Sequence, residues 1–358
     1  MTFRHAAFGL ALNGQAALQE ICPCLLQELK EIGIALDTGG YMLPWYRVRD
    51  GLLERAREAS GVIISFHTSV VSTFETENGV LIRLETVCDG NTLTKEMMVD
   101  LVVGADGVHS SIRKMIGAPL AVSSHTKCWR GALNDLPPSL SHVLDIPVAK
   151  MIKIESGWFS IFNFNTSLKG FVSWVATSKN LDNTTPLEML DGIATQEEEE
   201  MARGLLEAST QQELKFSTIL STIPMEHESG WGGKGRITLI GDSAHCLRPA
   251  SGLGGSLALE DAAVLTRCII ESKKAGESID KALQNFENKR FIRCKTTVDD
   301  QTRIAEAGYG KNDTSRNLTW TPEYQKWLFM GPDATPTPPD SVYQDVEEEL
   351  KRKSVLQF

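Results

Sequence analysis

The sequence predicts an α/β fold with a ligand site at the ends of buried strands. Three observations carry that expectation: a strand-to-helix turn at 236–265, a second at 100–113, and short aromatic-rich strands between them. In RITLIGDSAHCLRPASGLGGSLALEDAAVL, Ile237, Leu239 and Ile240 form an apolar run bounded by Gly241, the pattern of a strand covered on both faces. Asp242 stands where that strand ends, at the sheet edge where α/β folds take their ligands. After Pro249 come Gly252, Leu253, Gly254, Gly255 and Ser256, whose glycines let backbone N–H groups approach a ligand. A helix follows with Ala258, Ala262, Leu265 and Ile269 on one face, and its N-terminus favours negative charge. In DLVVGADGVHSSIR, Leu101, Val102 and Val103 likewise lead into a turn holding Asp106 and Gly107, then a polar helix start.

Residues 119–231 read as a separate antiparallel sheet. CWRGAL, WFSIFNF and GFVSWVAT are rich in aromatic and β-branched residues, and turn chemistry at Asn165–Ser167 and Leu168–Gly170 separates the last two. Alternation puts Trp158, Ser160, Phe162 and Phe164 on one face and Phe159, Ile161 and Asn163 on the other. Such aromatics either fill a core or line a pocket. The run Gln196–Glu200 is a solvated helix start, with Glu199 one helical step from Arg203.

The flanks follow the same logic. GVIISFHTSVV, GVLIRLETV and MMVDLVVGADG predict three successive strands before the Asp106 turn. Residues 278–309 continue as helix, and GPDATPTPPD at 331–340 reads as a Pro-rich linker. A final helix is expected from the apolar stripe Val342, Val346 and Leu350 and the i, i+4 pairs Glu347–Lys351, Glu348–Arg352 and Glu349–Lys353.

Composition narrows the function. At 358 residues, 42% hydrophobic and 23% charged, the chain has the length for two cores and the balance of a globular protein. A net charge of −10 argues against a nucleic-acid partner. No stretch approaches the roughly 20 apolar residues of a transmembrane span, and the N-terminus carries no signal-peptide core. Seven scattered cysteines suit a reducing compartment, so a cytoplasmic location is expected. Cys22-Pro-Cys24 is the one close pair. Without a second Cys or His pair it reads as helix-face cysteines rather than zinc ligands, and no metal is expected. Cys246 reads as a small buried residue.

Together the 236–265 and 100–113 segments resemble the Gly-Asp and Asp-Gly motifs of FAD-dependent aromatic-ring monooxygenases, the para-hydroxybenzoate hydroxylase-like family that includes salicylate hydroxylase and zeaxanthin epoxidase. Arg49, Leu52 and Ala56 resemble its Arg-x-x-Leu-x-x-x-Leu element, with Ala56 in place of the last Leu. Trp129-Arg130-Gly131 resembles the entrance to the substrate domain of salicylate hydroxylase-like members. The resemblance implies a Rossmann-like FAD/NAD(P)-binding flavoprotein fold with an inserted antiparallel β-sheet substrate domain. On that reading 1–118 is the first part of the FAD-binding domain, 119–231 the substrate domain, 232–330 the second FAD-binding part with C-terminal helices, and 331–358 a linker and terminal helix.

The implied activity is NAD(P)H-driven hydroxylation or epoxidation of an aromatic or polyene small molecule with O₂, through a flavin C4a-hydroperoxide. Asp242 would accept from the ribityl chain. Backbone N–H groups of Gly254, Gly255 and Ser256 would face the flavin pyrimidine edge. Arg49 would contact the FAD, and Asp106 with Gly107 would hold the second turn near the flavin. Leu253 and Ser256 replace the family's usual Gln and Asn, leaving backbone contacts at those positions. His245 is expected to be structural, and Arg130 either faces substrate or pairs with a carboxylate. No residue stands out as catalytic.

The family's opening Gly-x-Gly-x-x-Gly unit, which cradles the pyrophosphate, is not found. Residues 8–34 resemble the Gly-rich lead and helix that normally follow it. The chain is therefore expected to be a fragment or a truncated form that binds FAD weakly or not at all. Two other classes stay open: a non-catalytic binding protein on the same scaffold, and a flavin oxidoreductase without oxygen insertion.

Overall fold

A computed structural model describes residues 7–134, 136–146, 148–154, 157–164, 168, 171–179, 185, 187–190, 192–209, 215–217, 221–223, 225, 231, 233–247, 252–307, 318–339 and 343–345. The chain divides into two compact units. One comprises residues 1–11, 22–63 and 123–221, the other residues 12–21, 64–122 and 222–358. The stretch 1–118, continuous in the sequence reading, thus contributes to both.

In the first unit, strands β1 (Ala7–Leu10), β2 (Ile34–Ala35) and β3 (Tyr41–Pro44) form an antiparallel sheet with β3 in the middle. Helix α2 (Pro23–Ile32) starts on Pro23, whose missing N–H suits a first helical turn, and buries Leu25, Leu26 and Leu29. Helix α3 (Trp45–Glu58) lies against it, and an added Cβ on Gly51 would come within 2.4 Å of Leu25 Cδ1. Gly51 lets the two helices approach.

The larger element of this unit is a five-stranded antiparallel sheet. Its strands are Lys127–Leu133, Ala149–Ile154, Gly157–Asn163, Val172–Ser178 and Lys215–Ser217. Phe159, Ile161 and Asn163 are buried while Trp158, Ser160 and Phe162 are half-buried, as alternation requires, but Phe164, expected on the half-buried face, lies past the strand end and is buried with Ala132 and Phe171. Phe159 stacks on Trp174 at 5.4 Å, and Gly131 leaves the space that the Trp174 ring fills. The turns expected at 165–170 lie outside the described residues apart from Leu168. Helix α5 (Gln196–Ala208) is capped by Thr195, whose hydroxyl accepts from the Glu198 N–H, and Glu199 pairs with Arg203 at 2.9 Å.

The second unit contains α1 (Leu12–Ile21) and an antiparallel sheet of β4 (Thr68–Thr76), β5 (Gly79–Cys88) and β6 (Asn91–Val99). The strand expected over 61–71 begins only at Thr68, because His67 takes a positive φ of 55° that interrupts extended backbone. Ile63 is accordingly 91% exposed. Strand β7 (Val102–Gly104) pairs in parallel with Ile237–Leu239, and that second strand is fully buried, as its apolar run predicted. Helices α4 (Ser111–Met115), α6 (Asp242–His245), α7 (Gly254–Ala275), α8 (Ile279–Ala307) and α9 (Pro322–Phe329) complete this unit.

Three expectations are corrected here. The α7 face is rotated: Leu257, Glu260, Asp261, Val264, Leu265 and Cys268 are buried, whereas Ala258, Ala262 and Ile269 lie at the flank. Two buried acids pull the helix round, which apolar periodicity cannot show. The 331–340 segment is no free linker, because Gly331–Asp333 forms a 3-10 turn packed on Ala16 and Asn13 of α1. Tyr343–Asp345, placed in the terminal helix, is a strand paired with Leu318–Trp320, and the remainder of that helix lies outside the described residues.

Candidate functional site

The two Gly-rich turns are neighbours because their strands pair. Val102, Val103 and Gly104 run parallel to Ile237, Thr238 and Leu239, so both turns leave the same carboxyl edge, where α/β sheets bind ligands. The Ile240 N–H donates to Gly104 O at 2.9 Å, and Ser243 Oγ donates to the same oxygen at 2.6 Å. Gly104 has no room for a side chain, since a Cβ would meet Leu239 and Ile112 inside 3.0 Å.

Arg113 makes a further tie that sequence reasoning missed. Only 2% exposed, it donates to Ser243 O at 3.0 Å and to Pro119 O, joining α4 to the Asp242 turn. Burial pushes its guanidinium down to about 10, and it stays charged at neutral pH. Polar runs such as HSSIR give no sign of a buried arginine.

Asp106 accepts from Ser111 N at 2.6 Å, from Ile112 N at 3.2 Å and from Ser110 Oγ, so its carboxylate fastens the start of α4. Gly107 follows at φ 82°, with nothing within 4 Å of an added Cβ. Asp242 is different. Its carboxylate is exposed and accepts no hydrogen bond among the described residues.

Among the described residues the start of α7 carries no side-chain cap, so the N–H groups of Gly254 and Gly255 are placed to meet a ligand. At Gly254 a Cβ would come no nearer than 3.8 Å to Leu247 and 3.9 Å to Asp242 Oδ1, so the backbone face there is open. Gly252 takes φ 71°. Leu253 and Ser256 are buried, so their side chains face protein. Pro249 lies outside the described residues. Arg49 belongs to the other unit, on α3, where it holds Asp50 at 2.6 Å with both side chains part-exposed.

Behind the turn lies a buried ion network. Asp261 accepts from Gly241 N at 2.8 Å, meets His245 Nε2 at 2.6 Å and accepts from Arg290 Nε at 2.7 Å. Next to it, Glu260 accepts from Arg290 at 2.5 Å, from Arg293 at 2.7 and 2.8 Å, and from Asn13 Nδ2 of α1 at 2.6 Å. Burial pushes the His245 imidazole down, but Cys294 and the Asp261 carboxylate raise it well above its ordinary value. His245, Asp261 and Cys294 bring ligand atoms within 4.8 Å of one another, yet both Asp261 oxygens already have partners and Arg290 balances their charge. This cluster is scaffold for the turn. Cys246 beside it is pushed up to about 12 by burial and then by Asp242, so it is no nucleophile at neutral pH.

A family model described as "FAD binding domain" matches residues 40–301, which span both turns and the network. The chain belongs to this FAD-binding domain family. Among curated relatives, rice (Oryza sativa subsp. japonica) chloroplastic zeaxanthin epoxidase is 29% identical over 227 residues, covering 57% of this chain and 32% of that protein. Asperlicin C monooxygenase of Petromyces alliaceus is 28% identical over 268 residues, covering 71% and 56%. The chain therefore spans between a third and somewhat over half the length of these relatives.

CtdE, solved with FAD and its substrate, superposes with a TM-score of 0.71 at 18% identity, covering 100% of this chain and 90% of that one. Klebsiella pneumoniae HpxO, solved with FAD and uric acid, gives 0.64 at 19% identity, covering 86% and 80%. The fold is the α/β FAD-binding fold with antiparallel sheets. The residues present fit the flavin: an unpartnered carboxylate and an uncapped helix start meet at an open glycine backbone. Among the described residues no helix is long and apolar enough to cross a membrane.

Proposed function

We propose that this chain belongs to an FAD-dependent monooxygenase that uses NAD(P)H and O₂ to hydroxylate or epoxidise an aromatic or polyene small molecule. The observation that carries the reading is the exposed, unpartnered Asp242 carboxylate beside the uncapped start of α7, within a segment that matches the FAD-binding family. Bound FAD would supply the two-electron chemistry and the activation of O₂.

The chain's own residues position and polarise. Asp242 would accept from flavin ribityl hydroxyls, a charge-assisted contact. The N–H groups at Gly254, Gly255 and Ser256 would stabilise negative charge at the flavin edge, helped by the 22-residue α7 dipole behind them. Asp106 and Gly107 shape the second turn, and Arg49 offers charge to the cofactor phosphates. The five-stranded sheet supports residues 119–231 as the substrate domain, with 1–118 and 232–330 as the FAD-binding parts. A cytoplasmic location fits the seven free cysteines.

Titration of riboflavin and FAD against the purified chain, followed by flavin fluorescence, tests the site. Asp242→Ala should weaken binding by about 10- to 100-fold, the worth of one charge-assisted hydrogen bond of about 1.5–3 kcal/mol, with thermal unfolding unchanged. Equal affinity in the variant, or no riboflavin binding by the parent chain, overturns the assignment. NAD(P)H consumption coupled to an oxygenated product, traced with ¹⁸O₂, tests the reaction; consumption without label in the product marks an oxidoreductase that inserts no oxygen.

A further inference from the structure

The Cys22-Pro23-Cys24 segment opens α2 and has no part in the flavin reading. Its two Sγ atoms lie 3.3 Å apart and share a hydrogen bond, with Cys24 exposed and Cys22 half-buried. Cys22 is the N-cap residue at φ −157°, and Pro23 fixes the first helical position, so both thiols sit on one helix entrance. The Arg55 guanidinium of α3, anchored by Glu28 and Glu54, favours the Cys24 thiolate.

The two sulfurs are unlike. The hydrogen bond from Cys22, then that from Arg55, holds the Cys24 thiol below its ordinary range, while burial pushes Cys22 up. One thiol is set up to attack and its neighbour to stay protonated.

We propose that Cys22 and Cys24 form an oxidation site for hydrogen peroxide, Cys24 attacking and Cys22 resolving. The Cys24 thiolate attacks one peroxide oxygen: an S–O bond forms, the O–O bond breaks, and hydroxide leaves to take up the proton that Cys24 had released. Cys24 is now a sulfenic acid, oxidised by two electrons. Cys22 attacks that sulfur, the S–O bond breaks as the S–S bond forms, and the departing oxygen leaves as water with the Cys22 proton. Two thiols become one disulfide and one peroxide becomes two waters. The sulfurs have little more than 1 Å to close to reach the roughly 2.05 Å of a disulfide.

The test uses the whole chain. Trypsin releases residues 5–30 as one peptide holding both cysteines. Brief peroxide treatment should remove two hydrogens from this peptide, and dithiothreitol should restore them. In Cys22→Ser, dimedone should trap a sulfenic acid on Cys24. Before oxidation, iodoacetamide at neutral pH should label Cys24 several-fold faster than the exposed Cys88 in the same chain, and Arg55→Ala should narrow that gap while Arg55→Lys keeps most of it. Labelling of Cys24 no faster than of Cys88 overturns the proposal. So does peroxide that leaves both thiols of the 5–30 peptide free, or that joins either one to another cysteine.

Discussion

At Gly241 the backbone takes φ 60° and ψ −141°, a region open to glycine alone, and a Cβ there would lie 3.1 Å from that of Ala258. Gly241→Ala should therefore cost about 1–3 kcal/mol in chemical denaturation and weaken flavin binding together with stability, which separates it from Asp242→Ala. Asp106 acts as a helix fastener, so Asp106→Ala should cost about 0.5–2 kcal/mol, read as a lower midpoint in the same denaturation series. Arg49 holds only its neighbour Asp50 in a part-exposed pair of the kind worth about 0–1 kcal/mol, and can exchange it for a phosphate. Arg49→Ala should leave stability within error and weaken FAD at low salt more than riboflavin, which has no phosphate; equal loss for both ligands would place Arg49 away from the phosphates.

Between elements, α7 and α8 are joined by charge as well as by apolar contact. Arg290 serves Glu260 and Asp261 at once, and all three are buried. Replacing it with Met would leave two buried carboxylates short of a partner, so Arg290→Met should destabilise by about 3–5 kcal/mol in urea unfolding and release flavin as the Gly241 turn loosens. This network also marks what the sequence could not disclose. The Ile237–Leu239 strand, the two turns and the long helices follow from apolar runs and glycine spacing, which are local. The rotation of α7 and the burial of Arg113, Arg290 and Arg293 follow from partners 30 to 250 positions away, and a charged residue in a helix looks the same in sequence whether it faces water or a buried partner. Even so, ALEDAAV holds two adjacent acids in an otherwise apolar stretch of α7, a local oddity that hints at burial.

For the molecule as a whole, the same charges set the response to pH. Burial pushes Glu260 and Asp261 up, but Arg290 with Arg293 for the first, and His245 with Arg290 for the second, hold both below their ordinary 4.5 and 3.8. Their contribution is complete above about pH 4.5 and is lost as pH falls toward the folded values. His245 is raised above its ordinary 6.5, so its contribution is complete below that pH and is lost as pH climbs through the folded value. Thermal unfolding should therefore peak between about pH 4.5 and 6.5. His245→Gln should flatten the decline on the alkaline side and also soften the acid side, because Asp261 loses the imidazolium and keeps only Arg290; an unchanged alkaline slope would mean that His245 folds neutral.

The contacts of Arg293 with α9 bear on where this polypeptide can be divided. Its guanidinium donates to Trp327 O at 3.0 Å and Leu328 O at 2.8 Å, lies 4.8 Å over the Trp327 ring, and at the same time grips Glu260. The end of α9 is thus wired to the acid that steadies α1, and through α7 to the Asp242 turn. A chain cut ahead of Pro322 keeps every motif by which its family is recognised, yet leaves an arginine donor set facing nothing in the interior. Expression boundaries for crystallography or for domain grafting should run past Leu328, and a protease that nicks before Pro322 should release flavin as well as peptide.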